Sequence, residues 1–381
     1  MIIRILQSLH YIVKHAIIQN MHAIPKIEEK APFGNTGISI PPIVFGTSAL
    51  GNLFGILPYN EKKAIVEAWF SYVKEPIFID SAGKYGAGLA LEVIGKLLKQ
   101  LDINKEQVII SNKLGWKRKK LIGKEPTFEP GIWFGLEYDA EQDISYQGIT
   151  ECWEQGCELL GDYTPELVSV HDPDEYLEQA TDERDGGKRF EHLLSAYDAL
   201  FDLKQKGAVK AVGVGAKDWR VIQKLLDCLP LDWVMLACSL TIYYHPPELL
   251  TFIDELKRKG IGIINSAVFH SGFLVGGKYF DYKALDPVSD AALFDWRDRF
   301  FSICRNFNIS PAFACIEFGL TVPGIQSVSL NTSNTKRIIS NVTAIQAKAP
   351  KNFWQTLKEE KIIDPSYPHL GDENCNKLNI F

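Results

Sequence analysis

Short apolar runs punctuate this chain at about 40–44, 77–80, 108–113, 167–171, 208–213, 233–238, 261–265 and 327–330. Between them lie stretches whose apolar residues recur at helical spacing, and this alternation constrains the fold more than any other feature. Runs this short, bounded by turn residues, read as buried strands. The intervening stretches read as helices at 60–74, 89–101, 148–161, 190–207, 219–228, 247–259, 291–307, 311–322 and 334–342. In the second of these Leu91, Ile94, Leu97 and Leu98 share one face. Strands alternating with helices build a parallel sheet, and eight such units predict an α/β fold, a single-domain (β/α)8 TIM barrel. No low-complexity linker divides the chain. The barrel is expected over 35–345, with an N-terminal extension over 1–30 outside it and an irregular tail, 346–381, packed against it.

One stretch departs from the pattern. After the third strand, 115–147 holds Trp116, Trp133, Phe134, Tyr138 and Tyr146 with no clear period. A long loop insertion inside a domain is usually functional, such as a lid or a binding loop.

Composition narrows the class of function. Apolar residues make up 46% and charged residues 23%, which suits a globular enzyme with a substantial core. The net charge of −6 and the lack of any long basic block argue against nucleic acid; the densest basic run, 117–120, reads as a solvated loop. The seven cysteines are scattered and lack CxxC spacing, so neither a disulfide framework nor a metal site is expected, and the thiols suit a cytoplasmic compartment. Residues 2–19 are apolar but interrupted by Arg4, His10, Lys14 and His15, too broken for a signal peptide or for the ~20 apolar residues of a membrane span. They read as an amphipathic extension or as sequence upstream of a start at Met21. The expected partner is a small molecule.

The chemistry gathers at strand ends. The run 77–80 ends in Asp80, and Tyr85 follows on a loop between Gly83 and Gly86. Lys113 ends the third strand and His171 the fourth, so all four fall on one rim of the barrel. A tyrosine with a pKa near ~10 is a poor acid or base at neutral pH unless a cation stabilises its phenolate. Lys113 is placed to be that cation, Asp80 to be its counter-ion, and His171 to donate a hydrogen bond to a substrate oxygen. Together they suit proton transfer in carbonyl or alcohol chemistry. Singly each has a plain structural role, from helix cap to loop packing; their shared rim is what argues for a site. Gly213 and Gly215 read as a tight barrel turn, since Asp218 stands where a dinucleotide fingerprint needs glycine.

Asp80 with Tyr85, Lys113 in Ser-Asn-Lys-Leu-Gly-Trp, and His171 in Val-His-Asp-Pro-Asp together resemble the tetrad of the aldo-keto reductases. Within them the chain is similar to the D-threo-aldose 1-dehydrogenase branch (L-fucose or L-galactose dehydrogenase-like), which also includes pyridoxal 4-dehydrogenases. The likeness extends over about 43–342, through Phe45-Gly-Thr-Ser-Ala-Leu-Gly51, Gly207-Ala-Val-Lys-Ala-Val-Gly-Val-Gly215 and Ala267-Val-Phe-His-Ser-Gly-Phe-Leu274.

The resemblance implies NAD- or NADP-dependent oxidation of an aldose at C1, of the L-fucose, L-galactose or D-arabinose type, to the aldonolactone. Tyr85 would be the general acid/base and Lys113 the residue lowering its pKa. Asp80 would pair with Lys113 and border the cofactor, and His171 would orient the substrate oxygen. Gly46, Thr47, Phe269, Ser271, Gly272, Arg337 and Asn341 match cofactor-binding positions. Trp116, Trp133 and Phe134 are expected to give an apolar wall for the sugar. Three departures from the family pattern matter. Leu330-Asn331-Thr332-Ser333 lacks a basic residue for a 2′-phosphate, which weakens strict NADP use while Arg337 keeps it open. Gly215-Ala216 replaces a Ser-Asn pair, and Leu240-Thr241 replaces a nicotinamide-stacking aromatic, for which Tyr243 or Tyr244 would compensate; these shifts disfavour a generic aldehyde reductase. The alternatives are an oxidoreductase of a non-sugar, pyridoxal-like aldehyde or alcohol, a Schiff-base aldolase using Lys113, and a cofactor-sensing subunit without turnover.

Overall fold

The structure, a computed structural model, describes residues 25–370. Eight parallel strands close into a barrel: β1 (Ile43–Gly46), β2 (Ile77–Ala82), β3 (Val108–Leu114), β4 (Leu167–His171), β5 (Ala211–Ala216), β6 (Trp233–Ala237), β7 (Gly262–Ser266) and β8 (Ser327–Leu330). Each strand pairs with its sequence neighbours and β8 pairs with β1, the order that right-handed βαβ crossovers produce. Around the barrel run α1 (Tyr59–Tyr72), α2 (Leu89–Gln100), α3 (Tyr146–Leu160), α4 (Pro173–Glu178), α5 (Glu183–Gln205), α6 (Trp219–Leu226), α7 (Pro247–Arg258), α8 (Ala291–Asn306), α9 (Pro311–Gly319), α10 (Lys336–Gln346) and α11 (Lys351–Glu359). Leu91, Ile94, Leu97 and Leu98 are all buried, as the periodicity of α2 requires.

One end of the barrel is plugged. A two-residue hairpin pairs Ala31–Pro32 with Ser39–Ile40, and its loop inserts the fully buried Phe33 against Phe78 and Trp233 inside the barrel. Gly262 is required there, because a Cβ would lie 2.6 Å from the Phe33 ring. The other end, where the strands finish, is left as the single open mouth of the barrel among the described residues.

Several expectations shift. The fifth strand begins three residues later than its apolar run, so Gly213 and Gly215 lie within it and make no turn. A Cβ on Gly213 would sit 2.3 Å from Trp233, so the glycine admits the indole rather than a phosphate. Asp218 caps α6, its side chain accepting the Arg220 backbone N–H.

The insertion after β3 is not a structureless loop. Trp116–Lys120 and Tyr138–Gln142 form an antiparallel hairpin, with Trp116 opposite Gln142. Its basic run is held by carboxylates rather than solvated: Lys117 pairs with Glu151 (2.7 Å) and Asp143 (3.2 Å), and Arg118 pairs with Glu92 (2.9 Å) while covering the Tyr138 ring. The tail also folds, because Phe353, Trp354 and Leu357 recur at helical spacing and bury one face of α11. Ile27 bridges to Val73, so the chain already packs on the barrel by that point. The amphipathic extension over 2–19 lies outside the described residues. No described helix is long and apolar enough to cross a membrane.

Candidate active site

Strand register brings the tetrad together. Asp80 and Lys113 project from β2 and β3 two residues apart in register, since Asp80 is paired with Ser111 and Ala82 with Lys113. Both side chains are buried and joined as an ion pair. The Asp80 carboxylate also accepts from the Ser111 hydroxyl at 3.2 Å. Burial pushes the Asp80 carboxyl above its ordinary value, and Lys113 and Ser111 oppose that shift.

Tyr85 reaches the site from the turn after β2. That turn requires Gly86, which has φ +63°, and a Cβ on it would lie 2.3 Å from the Gly51 carbonyl oxygen. The Tyr85 hydroxyl stands 3.4 Å from Lys113 Nζ, the ammonium 5.2 Å from its ring centroid, and the His171 ring meets it edge-on at 5.5 Å.

The electrostatics differ from the expectation. Burial, with the carboxylates of Asp80, Asp172 and Glu129, pushes the Tyr85 phenol well above its usual value. The Lys113 ammonium, 3.4 Å away and paired with Asp80, does not offset that rise in the ligand-free site. In the ligand-free site Tyr85 is therefore a proton donor. His171 is neutral: burial, then the ammonium groups of Lys84 and Lys113, hold its imidazole well below the usual histidine range. Its Nδ1 is buried without a partner and its Nε2 lies 3.4 Å from Asp172, leaving hydrogen-bonding capacity for a ligand oxygen.

Sequence reasoning missed a layer of charge behind this tetrad. Lys84, 4% exposed, meets Glu129 at 2.7 Å, Glu175 at 3.3 Å and Asp172 at 3.6 Å. Burial works against its ammonium, yet Asp172, Glu129 and Glu175 outweigh that and hold its pKa above lysine's ordinary value. Lys217, after β5, pairs with Glu175 and lies 4.9 Å from the Tyr282 ring centroid. Asp172 takes a left-handed backbone conformation (φ +47°) that starts α4. The one available signal was the acid-rich Asp-Pro-Asp-Glu after His171; nothing in the order of residues tied it to Lys84.

A cleft of about 720 Å³ runs from Tyr85, Lys113 and His171 to α10. All the residues matched to cofactor binding border it: Gly46, Thr47, Asp80, Phe269, Ser271, Gly272, Arg337 and Asn341. The volume falls in the range of small-molecule sites. Gly272, at φ +95°, has open space where a Cβ would be, so backbone can approach a ligand there. Arg337, at the far end, pairs with no carboxylate among the described residues. Leu330, Asn331, Thr332 and Ser333 line that end too, and Asn331 Oδ1 accepts the Ala49 N–H at 3.1 Å. An elongated cleft with a cation at one end and a proton donor at the other fits a nicotinamide dinucleotide.

The proposed sugar wall needs correction. Trp116, Trp133 and Phe134 do not border the cleft. Trp133 is buried against Tyr85 and Phe128, its Nε1 donating to Glu129 at 2.6 Å, and Trp116 packs beside Phe128 under Lys84. The insertion's aromatics form their own small core, which backs Tyr85 instead of facing ligand. Tyr243 packs on His270, Phe280 and Trp296, and Tyr244 is exposed, so neither reaches the cleft. Phe54, Met235, Phe313 and Tyr282 supply the apolar and aromatic walls. Lys113 is committed to Asp80, whereas a Schiff-base lysine must present a free amine.

The barrel, the strand-end tetrad and the dinucleotide-sized cleft define a nicotinamide-dependent oxidoreductase. The Aldo/keto reductase family model matches residues 42–361, and the chain belongs to that family. It is 26% identical over 358 residues to pyridoxal 4-dehydrogenase of Microbacterium luteolum, covering 89% of this chain and 99% of that protein. It is 27% identical over 345 residues to D-threo-aldose 1-dehydrogenase of a Pseudomonas species, covering 86% and 96%. An aldo-keto reductase of Bacillus halodurans, in its holo form, shares the fold with a TM-score of 0.63 at 18% identity, over 91% of this chain and 98% of that one.

Proposed function

We propose that this protein oxidises an aldose at C1 to the aldonolactone, using NAD or NADP. The observation that carries the reading is the polar end of the cleft. Tyr85, His171, Asp172 and Lys217 all border it, so hydrogen-bonding groups surround the proton donor. A sugar presents several hydroxyls, and a neutral imidazole beside a carboxylate and an ammonium can satisfy them at once. The similarity to a D-threo-aldose 1-dehydrogenase supports the same class.

When bound, the nicotinamide ring supplies the hydride acceptor. His171 donates to the C1 oxygen and orients it. Tyr85 passes a proton to or from that oxygen, as the acid in reduction and, once ionised, as the base in oxidation. The raised Tyr85 pKa makes the ionised form the scarcer one, so oxidation should gain rate with rising pH. Arg337 would hold the anionic adenosine end.

A non-sugar reading rests on the aromatic walls. Phe54 and Tyr282 offer flat faces suited to a heteroaromatic ring, and the similarity to a pyridoxal 4-dehydrogenase points the same way. Nicotinamide absorbance with L-fucose, L-galactose, D-arabinose and pyridoxal, each with NAD and NADP, separates the two. Turnover of pyridoxal with none of the sugars would overturn the aldose reading. Tyr85→Phe should lose roughly 10²–10⁴-fold in rate while still binding cofactor; an active Tyr85→Phe enzyme would remove Tyr85 from the mechanism.

A further inference from the structure

We propose that Cys238, His270 and Asp281 form a binding site for Zn²⁺ at the edge of the cleft. They come from two connections of the barrel: Cys238 follows β6, while His270 and Asp281 both lie in the segment after β7, Asp281 in the turn of a hairpin that pairs Tyr279–Phe280 with Lys283–Ala284. Cys238 Sγ is 3.1 Å from Asp281 Oδ1, and His270 Nδ1 is 2.9 and 3.1 Å from the two Asp281 oxygens. The three donor atoms lie within 4.8 Å of one another.

The geometry and the donor set suit zinc. Tetrahedral zinc holds sulfur at about 2.3 Å and nitrogen or oxygen at about 2.0–2.2 Å, which sets neighbouring ligands roughly 3.3–3.6 Å apart. The two pairs measured here are a few tenths of an ångström closer than that, so small side-chain rotations open a place for the ion. Thiolate, imidazole and carboxylate together favour zinc over magnesium or calcium.

The supporting layer is already in place. His270 Nε2 lies 2.8 Å from Thr241 Oγ1, and the Thr241 hydroxyl faces the Tyr244 carbonyl at 3.4 Å. With a proton on Nε2 donated to Thr241, the Nδ1 lone pair points at Asp281 and Cys238, as a ligating histidine requires. The ring is held by stacking on Phe280, with centroids 4.5 Å apart. Cys238 borders the cleft, so a fourth position opens there for water or a ligand oxygen. Tyr282, next to Asp281, also borders the cleft. Zinc would thus tie the wall that carries Tyr282 to the end of β6. Binding expels the thiol proton to solvent, so affinity rises with pH.

Without metal the same groups close as a strut, the thiol and the imidazole N–H donating to Asp281. Sulfur separates the two cases, because a serine hydroxyl can donate in the strut but is a poor zinc ligand. The test titrates the metal-free full-length chain with Zn²⁺ by equilibrium dialysis, and with Co²⁺ as a spectroscopic probe of thiolate ligation. Expected are one zinc per chain, affinity weakened at least about tenfold by Cys238→Ser and by His270→Ala, and no change on replacing the exposed Cys228 with serine. Zinc should raise the melting temperature of the wild type and not of Cys238→Ser. The proposal is overturned by the absence of stoichiometric binding, by Cys238→Ser binding zinc as tightly as wild type, or by a cobalt complex without sulfur charge-transfer absorption. Should His270→Ala fail to fold, the wild type and Cys238→Ser decide the matter.

Discussion

Replacing Lys84 with methionine removes one ammonium from among three carboxylates while keeping most of the side chain's volume. Glu129, Glu175 and Asp172 then face one another around His171 and Tyr85 without a counter-ion at their centre. Breaking a buried ion pair by deleting one partner costs about 3–5 kcal/mol. Unfolding entropy of about 2.1 cal/mol/K per residue gives a chain of 381 residues about 0.8 kcal/mol/K, so the melting temperature should fall by about 4–6 °C. A second readout tests the electrostatics. The Lys84 ammonium is one of the charges that depress the His171 pKa, so its removal moves that pKa up. If neutral His171 is the active form, the acid-side fall of kcat/KM must move to higher pH. Lys84→Arg should keep both properties near wild type, and adding Glu129→Gln to Lys84→Met should recover part of the lost stability. The assay is a thermal melt by tryptophan fluorescence with a pH–rate profile on the same preparations. An unchanged melting temperature in Lys84→Met would refute the claim that this charge layer is a structural hub.

Other outcomes follow from named residues. Burial raises the Glu317 carboxyl to about 7, so its stabilising contribution is present below the ordinary carboxylate range and is lost as pH rises through about 7. Glu317→Gln, which can still accept the Ala349 N–H, should stabilise the fold at pH 8 by about 1–3 kcal/mol and by almost nothing at pH 4; an equal gain at both pH values in denaturant titrations would exclude the carboxylate as its source. Gly86→Ala should cost at least about 2 kcal/mol and lower kcat more than tenfold, since the added Cβ meets the Gly51 carbonyl and shifts Tyr85. Normal kcat in a folded Gly86→Ala enzyme would show that Tyr85 needs no such positioning.

The barrel was legible because strands buried on both faces carry short runs rich in apolar residues, such as Ile77–Ile79 and Val108–Ile110, and helical periods separate them. The rim of the site was legible for a related reason: Asp80, Lys113 and His171 are polar residues ending those runs. What escaped depends on contacts between distant segments. Lys84 reads as a loop lysine until Glu129 and Glu175 fold over it. Trp133 reads as a ligand wall because sequence does not reveal that the insertion pairs as a hairpin and buries its own aromatics. The register of β5 was misread because glycine, which ends many strands, here gives room to the ring of Trp233. Cys238, His270 and Asp281 have no common spacing, since their convergence is a property of loop paths alone.

Phe54 stacks on Tyr279 with ring centroids 4.1 Å apart and planes within 10°. The first ring belongs to the loop after β1 and the second to the hairpin after β7, so the contact spans the mouth of β8 lying between them in the barrel order. An aromatic pair contributes about 0.5–1.5 kcal/mol beyond its buried area. The stack thus joins two loops from opposite sides of that mouth, so a ligand that displaces one ring must also disturb the segment carrying the other.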